Sequence, residues 1–427
     1  MTALAVAAGG SWRGGWRQGL RYGALGLPLA FVALPLYVVL PNHYASQFGI
    51  PLATLGALLL GARLFDALAD PAIGRLVDRW FARSAAQVLG AAVVAAGVLA
   101  LGFRGLFFPP VHERAALLAW CAALLAVTYL SYSVLSVLHQ SWGARLGGDE
   151  AQRARIVSWR EGLALVGVLV ASVLPALAGL SVATAVFAIA LAVAVLLLRQ
   201  APQPRIGAPP GAAAPAAAGP LSTPGFRKLL AIYLLNGVAS AVPATLVLFF
   251  IRDRLQAQPW EPLFLASYFA AGALSMPLWL RLVARLGLAR SWLAGMGLAI
   301  VTFAWAALLG AGDIAAYTAV CIASGIALGA DLTLPGALLA GVIQRAGHGE
   351  RLEGAYFGWW NFATKLNLAL AAGISLPLLG AFGYVPGSRD AAALQALTWA
   401  YCLLPCVLKM GAAGLLHTLW LRKETTT

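Results

Sequence analysis

Residues 61–71 read Gly61-Ala62-Arg63-Leu64-Phe65-Asp66-Ala67-Leu68-Ala69-Asp70-Pro71, inside an apolar run that begins near Leu52. A charge in such a run is costly, about 2.5–3.5 kcal/mol each on insertion scales. Arg63, Asp66 and Asp70 stand at i, i+3 and i+7, so a helix gathers one cation and two carboxylates on a single face. Such a face on a membrane helix looks into a protein interior or a water-filled cavity and marks a functional site. A structural ion pair between Arg63 and one aspartate is the plainer alternative, but it leaves the second carboxylate unexplained.

The chain around that stretch has 427 residues, 61% hydrophobic and 10% charged, with mean hydropathy +0.83. Soluble proteins carry about 25% charged residues. The composition therefore predicts an all-α polytopic membrane protein. Lys and Arg outnumber Asp and Glu, 29 to 15. The loop distribution given below accounts for that excess, so no nucleic-acid partner is expected. Cys121, Cys321, Cys402 and Cys406 all fall in apolar runs. They read as small apolar fillers, without the His or carboxylate companions of a metal site and without a disulfide pattern. Arg13, Arg17 and Arg21 precede the first apolar run, about Tyr22 to Leu40. That run is too long for the apolar core of a signal peptide and reads as a retained first span.

A span needs roughly 20 apolar residues. Twelve candidates emerge, near 20–40, 52–74, 86–107, 115–141, 157–178, 180–199, 228–251, 262–284, 289–310, 314–343, 355–381 and 393–420. With the N-terminus cytoplasmic, the inner segments hold 21 of the 29 cationic side chains. The outer segments hold five, Arg104, Arg114, Arg252, Arg254 and Arg389, and Arg63, Lys365 and Lys409 fall within spans. This asymmetry predicts a multi-pass protein of the cell inner (plasma) membrane with both termini cytoplasmic. Removing one span would invert every later loop and destroy the asymmetry. Residues 201–226, rich in Pro, Ala and Gly, read as a cytoplasmic linker between a six-helix half at 1–200 and another at 227–427.

The halves echo one another. Pro71, Arg75, Leu76, Val77 and Arg79 after the second span match Pro277, Arg281, Leu282, Val283 and Arg285 after the eighth, at a constant offset. Two parallel six-span halves are the major facilitator arrangement, with substrate held near the midplane between them. Gly74-x-x-x-Asp78-Arg79 resembles the loop signature of that superfamily. Gly74, Asp78 and Arg79 are expected to form a gating loop, a charged turn docking at helix ends.

Residues 62–74, Ala-Arg-Leu-Phe-Asp-Ala-Leu-Ala-Asp-Pro-Ala-Ile-Gly, are similar to the second helix of the glycoside–pentoside–hexuronide:cation symporters, the melibiose permease family. Tyr22-Gly23, Trp159-Arg160-Glu161 and Lys365 within Asn361-Phe362-Ala363-Thr364-Lys365 fit the same pattern. The resemblance implies a secondary active transporter that couples Na⁺ or H⁺ to a sugar, glycoside or similar small polar solute by alternating access. No cofactor besides the coupling ion is expected. Asp66 and Asp70 would bind the coupling cation, with Arg63 beside them. Hard cations take oxygen ligands, and two close carboxylates can alternatively share a proton. Lys365 would compete for the carboxylate pair, which links ion binding to the conformational switch. The carboxylates that the family places in the first and fourth helices are missing here: the first helix reads Tyr22-Gly23-Ala24-Leu25-Gly26, and no acid lies between Ala115 and Gly148.

A polar stripe occupies the fourth span instead: Tyr129, Tyr132, Ser133, Ser136, His139 and Gln140. All but Ser133 recur at three- and four-residue steps, forming one polar face. Tyr132, Ser136, His139 and Gln140 are candidate solute ligands, with interhelical hydrogen bonding as the plainer role. The second half offers Asn236, Asp331, Trp360 and Asn361, with Asp331 before Pro335 suggesting a cavity-lining group on a broken helix. Lys409 is mid-span with no partner visible in its neighbourhood. No nucleophile elbow, phosphate loop or His-rich metal cluster appears, so an enzyme is not expected. A lipid, lysolipid or drug transporter of the same fold, and a non-transporting sensor, are the alternatives. The expected partners are a small-molecule substrate and the bilayer, with the protein a monomer.

Overall fold

A computed structural model describes residues 12–206 and 219–422. Most of the expected linker, residues 207–218, and Lys423 lie outside the described residues. The described residues form helices and no strand, as lipid requires of a chain that must satisfy its own backbone hydrogen bonds.

Nine of the described helices are long and apolar enough to cross a membrane, and a bent pair makes ten. In chain order the helices are α1 (Trp16–Tyr37), α2 (Leu52–Arg83), α3 (Ala85–Phe107), α4 (Arg114–Arg145) and one continuous element, Glu150–Arg199. That element is 50 residues long and breaks at Gly179, whose φ of 80° is a left-handed conformation that side chains disfavour. It is therefore two spans, α5 (150–178) and α6 (180–199). Next come α7 (Pro224–Arg254), the bent pair α8 (Gln258–Leu274 and Met276–Leu286, 41° apart), α9 (Leu288–Ala306), α10 (Ile314–Arg345), α11 (Glu353–Ala381) and α12 (Ala391–Leu421). With α2 and the division at Gly179 the described residues hold the expected twelve.

Two local expectations differ. The sequence reading ends the second span near residue 74 and gives Gly74, Asp78 and Arg79 to a charged turn. In the structure α2 runs on to Arg83, so all three are helical and only Ser84 separates α2 from α3. The physical reason is that no second proline follows Pro71 within α2 and a lone Gly74 only weakens a helix without ending it, and Ser84 instead caps α3 by accepting the Gln87 amide at 3.2 Å. The second concerns Asp331. α10 is continuous through Pro335, so Asp331 does not lie on a broken helix. Proline removes one i→i−4 bond, and the neighbouring turns carry the helix past it.

The chain divides into two compact units, Met1–Pro220 with Ile343–Phe362, and Leu221–Val342 with Ala363–Thr427. Close helix contact in the first unit depends on small residues. A β-carbon at Gly19 or Gly23 would strike Trp159, one at Gly26 would strike the Arg160 carbonyl, and one at Gly167 would strike the Leu27 carbonyl. These glycines let α1 and α5 approach backbone to backbone, the usual way helices associate in lipid. In the second unit α7 and α12 pack around a buried aromatic group. Phe250 stacks on Tyr401 at 4.2 Å between centroids, and the Tyr317 and Tyr401 hydroxyls are 2.6 Å apart. All four cysteines are buried and unbridged.

Candidate cation and solute site

Helix α2 carries the two carboxylates inward. Asp66 is 4% exposed and Asp70 fully buried. They are one turn apart, about 5–6 Å between β-carbons for an i, i+4 pair. The Ser133 hydroxyl of α4 donates to Asp66 Oδ1 at 2.7 Å. A hydroxyl-bonded carboxylate and a second buried carboxylate one turn along the same helix face are thus withdrawn from water. Hard cations favour such an oxygen set, and the like charges of the carboxylates disfavour leaving it without a positive counter-charge. Arg63, one turn before Asp66, is exposed and lays its guanidinium 3.9 Å from the centroid of the Tyr37 ring. Ser133 was outside the regular polar stripe in the sequence, and its contact with Asp66 comes from the packing of α2 on α4.

The stripe on α4 separates into distinct environments. His139 is fully buried, its Nε2 2.8 Å from the Tyr22 carbonyl oxygen, while the Tyr22 hydroxyl donates to the His139 carbonyl at 3.0 Å. His139 therefore ties α4 to α1. Tyr132, Ser136 and Gln140 are partly exposed. Gln140 Nε2 and Asn361 Nδ2 both donate to Ser136 Oγ at 3.3 Å, so Ser136, Gln140 and Asn361 form one polar cluster in the first unit. Trp360 is buried beside Asn361 in the chain, and Lys365, one turn further along α11, is half-buried in the second unit. Arg160 and Glu161 form a partly buried pair at 2.6 Å.

Asp78 reaches the start of α11. Its Oδ1 accepts the Gly354 amide at 2.7 Å and its Oδ2 the Ala355 amide at 2.8 Å. It caps two of the N–H groups that a helix start leaves unpaired. Arg145 is fully buried beside it, 2.9 Å from Glu353 Oε2, 3.5 Å from Asp78 Oδ1, and donating to the Glu350 carbonyl at 2.9 Å. Glu350 itself sits at φ 67°, an uncommon conformation for a residue with a side chain, and its carboxylate pairs with Arg205 at 2.9 Å. Gly74 and Gly354 face one another so closely that a β-carbon on either would strike the other's carbonyl, and one at Gly358 would meet the Asp70 carbonyl. Arg79 is exposed. The sequence reading counts Arg145 only among the inner cations and does not single out Glu353; an Arg at a span end and an acid in the first turn of the eleventh span are the available signals.

In the second unit the structure joins three intramembrane polar residues. Lys409 Nζ donates to Asp331 Oδ2 at 2.7 Å and to Asn236 Oδ1 at 2.9 Å. Asp331 also accepts from Asn236 Nδ2 at 3.1 Å, Trp292 Nε1 at 2.9 Å and Ser240 Oγ at 3.0 Å. Lys409, without a visible partner in sequence, is the counter-charge of Asp331. Opposite charges placed mid-span on two different helices were the signal that could have paired them.

Residues 21–423 match the family described as MFS/sugar transport protein, and the chain belongs to that family. Two relatives from Escherichia coli (strain K12) align with part of it. The inner membrane symporter YicJ is 30% identical over 134 residues, 31% of this chain and 28% of its own length. The putative glycoside/cation symporter YagG is 28% identical over 154 residues, 35% of this chain and 33% of its own length. The matched segments thus span about a third of either relative. Among solved structures, a bacterial homologue of the iron transporter ferroportin has a TM-score of 0.66 at 19% identity, covering 93% of this chain and 99% of its own. The E. coli fucose:proton symporter has a TM-score of 0.64 at 12% identity, covering 93% and 97%. These likenesses establish the major facilitator fold, all-α, with twelve transmembrane helices in two six-helix halves.

Proposed function

We propose that the protein is a secondary active transporter of the inner membrane that couples entry of Na⁺ or H⁺ to movement of a sugar, glycoside or similar small polar solute. The observation that carries this reading is the burial of Asp66 and Asp70 one turn apart on α2, with the Ser133 hydroxyl on Asp66. In this reading the pair takes the coupling cation, with Arg63 tuning the local charge and Lys365 supplying a positive charge on α11 that coupling requires. Ser136, Gln140 and Asn361 offer the solute hydroxyl groups a mixed donor and acceptor cluster, with Tyr132 nearby on α4. Such groups hydrogen-bond neutral polyols without a carboxylate. The names of the two E. coli relatives, a symporter and a glycoside/cation symporter, support the same solute class. The capping of α11 by Asp78, held by Arg145 and Glu353, supports a gating role for the end of α2 formed by Gly74, Asp78 and Arg79. The 21-to-5 distribution of cationic residues between inner and outer segments supports cytoplasmic termini.

The test is solute uptake into proteoliposomes driven by a Na⁺ or proton gradient, comparing the wild type with Asp66→Asn, Asp70→Asn and the double variant. Uphill accumulation disappears in the variants while insertion and counterflow exchange persist. Undiminished uphill uptake in the double variant refutes the assignment.

A further inference from the structure

The second unit contains a cavity of about 150 Å³ that the transport reading does not use. Its walls are aromatic: Phe264, Tyr268, Phe269, Phe303, Tyr317 and Tyr401 line it, while Ser240, Asp331 and Lys409 form its polar end. A cavity of this volume holds one benzene-sized ring. Aromatic walls favour an aromatic guest through edge-to-face and offset-stacked contacts.

The polar end selects the head group. Each Asp331 oxygen already accepts two hydrogen bonds: Oδ1 from Asn236 and Trp292, Oδ2 from Lys409 and Ser240. The carboxylate has no further capacity for a donor or a cation. Lys409 has three N–H donors and gives two of them, to Asn236 and Asp331. One donor remains on a side chain that lines the cavity. Ser240 uses its hydrogen on Asp331 and keeps lone pairs for a donor. A guest hydroxyl can therefore accept from Lys409 and donate to Ser240. A guest carboxylate would bring a second anion beside Asp331 into a site whose charges already cancel, and burying an uncompensated charge is costly.

We infer that this cavity is a binding site for a small uncharged aromatic alcohol or phenol, its ring between the aromatic walls and its hydroxyl between Lys409 and Ser240. The site lies wholly within the second unit, apart from Asp66 and Asp70, and the inference does not rest on the transport reading. Ala244 lines the cavity and is exposed, so it sits at the rim where a larger side chain can fill the space without disturbing the fold.

The experiment is saturation binding of radiolabelled phenol to the purified full-length protein at pH 7, read by scintillation proximity. The expected result is one saturable site per chain, displaced by benzyl alcohol and not by benzoate or glycerol. Ala244→Trp abolishes binding by occupying the ring space. Ser240→Ala weakens it severalfold by removing one polar contact, with retention of native helicity checked by circular dichroism in each variant. Absence of saturable binding to the wild type overturns the inference. So does binding unchanged in Ala244→Trp, or displacement by benzoate as effective as by benzyl alcohol. The readout is binding and not uptake, so its failure leaves the cation-coupled reading standing.

Discussion

Replacing Lys409 by methionine keeps the length and apolar stem of the side chain and deletes its ammonium group. The change removes the 2.7 Å bond to Asp331 and the 2.9 Å bond to Asn236. Breaking a buried pair from one side costs about 3–5 kcal/mol, because the remaining charge is left uncompensated. Asp331 retains Asn236, Trp292 and Ser240 as donors. A hydrogen bond to a charged group contributes about 1.5–3 kcal/mol, so these three hold the loss toward the lower limit, about 3 kcal/mol. Adding Asp331→Asn removes the orphaned charge, and the double variant should lie within about 1 kcal/mol of the wild type, since replacing a whole buried pair is often neutral. The assay is reversible unfolding of the micelle-held protein in rising denaturing detergent, followed by tryptophan fluorescence, with the four members of the cycle compared directly. A single variant as stable as the wild type, or a double variant no better than the single, would refute the reasoning that the pair is a matched buried charge.

Further outcomes follow from neighbouring geometry. Gly358→Val places a side chain against the Asp70 carbonyl, which being backbone cannot yield; stability should fall by about 1–3 kcal/mol, as overpacking does, seen as a lower thermal midpoint. Asp78→Asn leaves an amide NH₂ opposed to one of the two α11 N–H groups now accepted at 2.7 and 2.8 Å; a loss of about 1–3 kcal/mol is expected, and an unchanged unfolding curve would deny the cap. Lys365→Ala should stop gradient-driven uptake in proteoliposomes while solute binding, read by calorimetry, persists. Burial and the nearby Arg351 charge hold the His348 imidazolium below its ordinary range. The folded state therefore binds that proton less readily than the unfolded state. Its stabilising contribution is present above about pH 6.5, the ordinary histidine value, and is lost as pH falls below it. His348→Gln should flatten that part of the stability profile, and an unaltered profile would assign the pH dependence elsewhere.

The sequence by itself determined the membrane class, the twelve spans and the inward face of α2. These follow from local properties: apolar length, loop charge, and the 3.6-residue period that puts Asp66 and Asp70 on one side of a helix. The same local reading placed a break between spans five and six, where Gly179 supplies it, but stopped the second span near residue 74. Pro71 reads as a boundary in sequence, yet the turns after it continue α2 to Arg83. Tertiary structure alone decided which polar groups meet. Ser133 reaches Asp66 across 67 residues and Lys409 reaches Asp331 across 78. His139 turns from the stripe to Tyr22, while Ser136 gathers Gln140 and Asn361. The physical reason is that a polar side chain in lipid must find a partner. Its own helix fixes the face it presents, and only the packing of the other helices fixes which partner stands there.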